Sequence, residues 1–531
     1  MTAKKKPNLL PWLVLAAAYL FAVGFQAVYG MHNLNADNSS EMVLADLLNE
    51  EGGFLSTNWF YSTELRVVSP VPVYQLGLLL FDSWHMARTF SIAVLLSGVV
   101  ASLLYALRGA DIGDAGIYAA AALILPFSRV YNYLFLYGGG YTVFFMLTCW
   151  LIGLNLRLLS GQKTKRRLLL IGVLSLWGGL NGVRMMMMSG APLLLTCGIL
   201  AFRRFLRCRS AAEGLGSGEF RMLLGAAVSM AVMAVGYLIN VCVLADLYFF
   251  KSYQNTQFTG FTADALFEQI EALPVFFGER TQVSLFSMAG ISSLCAIGLC
   301  LLLGMAIVLL YGMRTELTAA QKCIVLFAGV ATALGIGLNA VTELGTVEHS
   351  VGYYMTGLQM LVVSAFVLLE KMHCGLRPMR SACMVLLTSV FALEAVVTLR
   401  SEYNNTPTTI EEAADWLVEN GYTQGYTTFW NGNVLTEASD GVLDVYVYNS
   451  WASSQLYDWL QKRTHWETTP QGKVFVYISE DDYQPEVMPC KQADHLVWQS
   501  HEGSIYAYDS GEQVEALQRG AGDQTKGEEY E

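Results

Sequence analysis

Eleven apolar runs recur through the first 400 of 531 residues, most of them near the roughly 17–25 residues a helix needs to cross a bilayer. They fall near 9–29, 86–107, 114–128, 137–157, 168–186, 190–203, 222–245, 285–312, 322–342, 352–370 and 381–399; the third and sixth are short. Hydrocarbon offers no partner to a peptide group, so a chain patterned this way must satisfy its backbone internally, as a bundle of helices. With 54% apolar and only 14% charged residues, it is too apolar for an ordinary soluble protein.

Charge sets the orientation. Nineteen Lys and Arg residues fall in the segments assigned to one side, beginning with Lys4, Lys5 and Lys6. Six fall in the opposite loops: Arg66, Arg88, Arg129, Arg184, Lys251 and Arg280. The positive-inside rule then places the N-terminus in the cytoplasm, and an odd number of spans puts the C-terminal region outside. Lys4–Lys6 before an apolar run also suits a cleaved signal peptide, but the run is long and no small-x-small site ends it, so it is read as a span.

Three regions follow. Residues 1–400 form the membrane part, with a large first outer loop over 30–85. Residues 401–513 form a small outer α/β domain, and 514–531 an acidic disordered tail. The fold class is an α-helical polytopic membrane protein with a C-terminal α/β domain. Residues 401–531 hold 23 acidic against 6 basic groups, which argues against nucleic acid as a partner. Nine of ten cysteines lie in the membrane part, so Cys490 has no disulfide partner within the outer domain.

In the outer loop, Ser39 or Ser40 suits a helix N-cap, with a stop at Gly52-Gly53. Asn58-Trp-Phe-Tyr61 has the character of an interfacial aromatic cluster, and Val73–Phe81 is an apolar segment too short to cross. In the outer domain, Thr408-x-x-Glu411 is a capping box. Strands are expected at Tyr426–Trp430, Val442–Tyr448, Val474–Ile478, His495–Trp498 and Ser504–Tyr508, with a helix near Ser453–Lys462.

The chemistry sits at the outer boundary. Asp37 lies a few residues beyond the first span, with Glu41 one helical turn on. Arg88, Arg129, Arg184 and the pair Glu348-His349 lie at outer ends of spans. Each Arg alone can simply snorkel to the headgroups. Converging on Asp37, they would form an anion site. Glycosyl transfer from a lipid phosphate needs these parts: a carboxylate to take the acceptor's proton, guanidinium groups to hold the departing phosphate, and aromatic rings for sugar faces. Trp430, in Gly425-Tyr-Thr-Thr-Phe-Trp-Asn-Gly-Asn433, suits a sugar platform; its other reading is a core residue, with Asn431-Gly432 as a turn. Met185–Met188 reads as helix-interface filling and Gly138-Gly-Gly140 as a bend at a span entry.

On Asp37, the amphipathic outer loop, Val71-Pro-Val-Tyr74 to Ala87-Arg88, and Gly182-Val-Arg184 with Pro192, the chain resembles the type C glycosyltransferases. These are polytopic enzymes using polyprenyl-phosphate sugars, among them protein O-mannosyltransferases and transferases of aminoarabinose to lipid A. The resemblance covers most of 1–400 and implies an inverting glycosyltransferase of the cell envelope, with Asp37 as general base. Many members pair two acidic residues directly; here Asn38 follows Asp37, and Glu41 could take the second place. Arg88, Arg129, Arg184 and His349 would bind the donor phosphate, and Glu64, Trp59, Tyr61 and Trp430 would support the acceptor. Partners would be a polyprenyl-phosphate-linked sugar, membrane lipid, and a glycan, lipid or protein acceptor. No cofactor is otherwise expected, although Asp37 with Glu41 could hold a divalent cation. The rival readings are a transporter or flippase of lipid-linked sugars, which needs two related halves, and a noncatalytic envelope assembly protein.

Overall fold

A computed structural model describes residues 8–528 apart from Glu64, 251–256, 347–349, 373–376, 404–405, Ser454 and 483–492. Among the described residues, nine helices are long and apolar enough to cross a membrane. The two other expected spans are also helices, Asp114–Leu123 and Thr164–Gly179, but shorter. Asp114–Leu123 is buried from Ala115 onward, packed against Leu10–Tyr29, Met355–Lys371 and Arg377–Glu402. Its run of alanines explains this, because small side chains let helices approach closely in lipid.

The first span ends in the turn Gly30–Asn33, and the chain then folds over the end of the bundle as the helix Ala36–Glu51. Its cap is Asn35, whose side chain accepts from the Asn38 amide, and not Ser39 or Ser40 as expected. The helix therefore starts before Asp37 and places Asp37 and Glu41 on one face, four residues apart. It stops at Gly52, in the left-handed conformation at φ 72°. The loop continues through strand β1 (Trp59–Phe60) and the helix Val71–Leu80, which exposes Leu76, Leu79 and Leu80.

The C-terminal domain holds the helix Thr409–Glu419, started by the Thr408–Glu411 capping box, and strands β2 (Gln424–Thr428), β3 (Asp444–Tyr448), β4 (Gln461–Lys462), β5 (Val474–Ser479), β6 (Leu496–Gln499) and β7 (Gly503–Tyr508). Five make one sheet in the order β3-β2-β5-β7-β6, with β3, β2 and β5 parallel and β7 and β6 antiparallel. Alternation along β5 sends Val474, Val476 and Ile478 to one face and Phe475 and Tyr477 to the other. The second face is covered by Thr409–Glu419 and Phe429–Ala438, the first by Gly511–Glu528.

Three expectations change here. The strand over Tyr426–Trp430 ends at Thr428, and Trp430 with Asn431-Gly432 lies in the helix Phe429–Ala438 instead of a core strand and turn. The helix near Ser453–Lys462 is replaced by extended chain: Tyr457, Trp459 and Leu460 pack on Ala36, Phe429 and Val447, and β4 pairs with β1. Tertiary partners there outweigh helix propensity. Residues 511–528, expected to be disordered from 514, form a helix that buries Val514; Gln518 donates to the carbonyls of Trp451 and Ser453, both at 2.6 Å.

The domain is fastened to the membrane part at several points. Besides the β1–β4 pairing, Asp440 accepts from the Trp84 amide at 2.6 Å, and Arg463 donates to the carbonyls of Asn58 and Thr57. Arg88 and Glu437 form a fully buried, two-pronged pair, with Nε–Oε1 2.5 Å and Nη2–Oε2 2.7 Å. Removing one partner of such a pair typically costs about 3–5 kcal/mol, because a charge is left buried and unmatched.

Candidate active site

The helix Ala36–Glu51, the loop 59–71, the segment 133–144, Arg184, Tyr353 and the domain residues Trp430, Trp459 and Leu460 enclose a cavity of about 400 Å³. Asp37 and Glu41 line it, and so do two guanidinium groups, Arg66 and Arg184.

Each charged group is held in place by its surroundings. Glu41 lies 3.6 Å from Arg66. The backbone on either side of Arg66 is pinned by buried amides. Asn240 donates to the Leu65 carbonyl at 3.0 Å, and Asn181 exchanges two hydrogen bonds with Val68. Arg184 follows the left-handed Gly182, donates to the Tyr141 hydroxyl at 3.3 Å and lies over the rings of Tyr141 and Tyr353. The glycines 138–140 form the predicted span-entry bend and let the backbone come close. A Cβ on Gly138 would stand 3.0 Å from the Asn38 amide oxygen, and one on Gly140 3.5 Å from Arg66. Gly139, at φ 60°, caps the helix Gly140–Leu158, whose N-terminal end opens on the cavity.

Asp37 is reached by the cavity's solvent yet has protein on most sides. Loss of hydration pushes its carboxyl above the ordinary range, against the pull of Arg66 and Arg184. Burial raises Glu41 to about 7, opposed by Arg66 and Arg88 and reinforced by Asp37. A carboxyl that titrates near neutrality, as Glu41 does, is matched to proton transfer. Next to them stand Trp59, fully buried with an unpartnered indole N–H, and Tyr61, whose hydroxyl accepts from the Ser56 amide. Trp430 is 62% exposed and faces the cavity, so it is not a core residue.

The cavity thus gathers Asp37, Glu41, Arg184, Trp59, Tyr61 and Trp430 from the residues expected there. Arg88 does not line it. Its guanidinium lies behind the acid-bearing helix, bound to Glu437 and the Asn38 carbonyl. Arg129 is exposed at the start of a short helical turn and does not line it either. Glu64 and His349 lie outside the described residues. Sequence reasoning missed Arg66, Tyr141, Tyr353 and Trp459. Arg66 was visible only as one of six cations on the sparsely basic side. The two carboxylates fit a divalent cation poorly, because guanidinium groups already face them. Among the described residues, no three His, Cys, Asp or Glu side chains gather as a metal-binding set.

Apolar spans, an acid-bearing helix across their end and a soluble α/β domain closing over it make up a fold that is similar to those of solved membrane proteins. One such structure is ArnT from Cupriavidus metallidurans in the apo state: TM-score 0.53 at 11% identity, over 96% of this chain and 98% of that one. ArnT bound to undecaprenyl phosphate gives TM-score 0.43 at 12% identity, over 94% and 97%. The Archaeoglobus fulgidus oligosaccharyltransferase in complex with Zn and sulfate gives 0.48 at 13%, over 87% and 67%. No protein-family model matches the sequence, and no curated protein matches it.

Proposed function

We propose that this chain is an inverting glycosyltransferase that moves a sugar from a polyprenyl-phosphate donor to a hydroxyl of a cell-envelope acceptor. The observation that carries the reading is the meeting of Asp37 with Arg66 and Arg184 in one cavity at the end of an apolar bundle. The excess of Lys and Arg on the opposite side puts that end outside the cell.

Asp37 takes the proton of the acceptor hydroxyl. The oxygen attacks the anomeric carbon from the face opposite the phosphate, and the carbon–oxygen bond to phosphate breaks with inversion. Polyprenyl phosphate departs, and its growing negative charge is met by Arg66 and Arg184, whose planar forks match phosphate oxygens. An apolar groove of about 370 Å³, lined by Val68, Met146, Trp150 and Trp177, includes the residue next to the cavity's Ser69 and suits the donor's tail. Trp430 and Trp459 offer ring faces to the acceptor, with the buried Trp59 behind them.

The test is Asp37→Asn in purified, lipid-reconstituted protein, with release of polyprenyl phosphate as readout. General base catalysis is typically worth about 10²–10⁴ in rate, so transfer should fall by at least a hundredfold while the thermal transition stays in place. Transfer at the wild-type rate would remove Asp37 from the reaction.

A further inference from the structure

We propose that the soluble domain is a working part of the reaction centre, acting through Glu437: its carboxylate holds the Arg88 guanidinium, and Arg88 in turn fixes the Asn38 carbonyl in the turn that carries Asp37. Both would be positioning residues, since neither lines the cavity. The inference rests on Asp37 as the base of glycosyl transfer.

The geometry is specific. Glu437 and Arg88 are 349 positions apart in sequence and are 2% and 1% exposed. Two nitrogens of Arg88 are used by Glu437, and Nη2 also donates to Asn38 at 2.9 Å. The guanidinium is held between the rings of Tyr74 and Tyr137, at 5.1 and 4.8 Å. The helix Phe429–Ala438, which carries Glu437, packs along Ala36–Glu51. A mere fastening could have used apolar contacts, and the β1–β4 pairing and Asp440 already fasten the domain. A charged chain that ends on the backbone next to the base can set both its position and its field.

The field gives the discriminating test. The charged and titratable groups facing Glu41 are Asp37 on its own helix, Arg66 from the loop after it, Arg88 from the helix Trp84–Gly109 and Tyr74 from Val71–Leu80, and Asp37 is faced by Arg66 and Arg184. The acid limb of the pH profile belongs to the pair Asp37 and Glu41 jointly. In Glu437→Gln, Arg88 keeps its charge and loses its counter-charge. The pair then releases its proton more easily, and the limb moves to lower pH. In the double variant Arg88→Met with Glu437→Met, that positive charge is gone, and the limb moves to higher pH. The second shift should be the larger, since Arg88 faces Glu41 and Glu437 stands behind it.

The experiment uses the full chain in lipid nanodiscs, with domain docking followed by limited proteolysis. The expected result is a docked domain, kcat lowered at least tenfold with donor KM little changed, and limbs displaced in opposite directions. Wild-type kcat and an unmoved limb in a docked variant would overturn the proposal; so would loss of docking in both variants, which would make the pair a fastening alone. Asp37→Asn run alongside separates the two failures. If that variant still transfers, the reading of the active site falls; if it is dead while the Glu437 variants behave as wild type, only the positioning role falls.

Discussion

Replacing Arg66 by Met should move the whole pH profile of transfer upward. Arg66 lies 3.6 Å from Glu41 and also lowers the proton affinity of Asp37. At an effective dielectric of about 20, a pair at this distance is worth about 4 kcal/mol, or about three pH units as an upper bound. The Arg66 side chain is 32% exposed, so solvent screening reduces this to about one unit. The sign follows directly. Burial holds Glu41 at about 7 with Arg66 pulling it down. Without that pull its proton affinity rises, the pair is more protonated at neutral pH, and transfer returns only at higher pH. Loss of a charge-assisted contact to the departing phosphate should add a pH-independent fall of about ten- to a hundredfold. The assay is release of polyprenyl phosphate from reconstituted protein across the neutral range, with Arg66→Lys as the charge-preserving control. An acid limb in Arg66→Met that coincides with wild type would refute the reasoning, because the guanidinium would then not act on the carboxylates it faces.

Two further outcomes test other parts of the site. Gly139→Ala should lower the thermal transition, since the residue sits at φ 60° and its Cβ would stand 2.6 Å from the Tyr74 hydroxyl; strain of this kind costs about 1–3 kcal/mol, measurable by thermal unfolding in detergent. Trp430→Ala should raise the acceptor KM by about ten- to a hundredfold and leave donor KM unchanged, as loss of one stacking aromatic would do; steady-state kinetics with each substrate varied in turn would show it, and a changed donor KM would place Trp430 elsewhere.

Much of the fold was legible because its causes are local. Every expected span corresponds to a helix, since hydropathy over about 20 residues reports the free energy of leaving water directly. The Thr408–Glu411 capping box and the left-handed Gly52 were readable for the same reason: they involve neighbours in sequence. The strands of the C-terminal domain were found wherever alternation or continuous burial marked them. Errors came where distant partners took over, as at 453–462, where Tyr457 and Trp459 gave up a helix to pack on Phe429 and β4 paired with β1.

The candidate site divides the same way. Asp37 was visible from its place after the first span, because a carboxylate just past a bilayer edge is costly enough to need a reason. Nothing local marked Arg66 as its neighbour, or showed that Arg88 would turn away toward a carboxylate 349 residues later. The amino-acid order alone determined where the apolar helices lie, which connecting segments are basic and where an acid waits. Which cations meet that acid, and that a soluble domain closes the chamber with Trp430 and Trp459, was decided only by tertiary packing. Electrostatic contacts depend on distance in space, and the sequence carries that distance only through the whole fold.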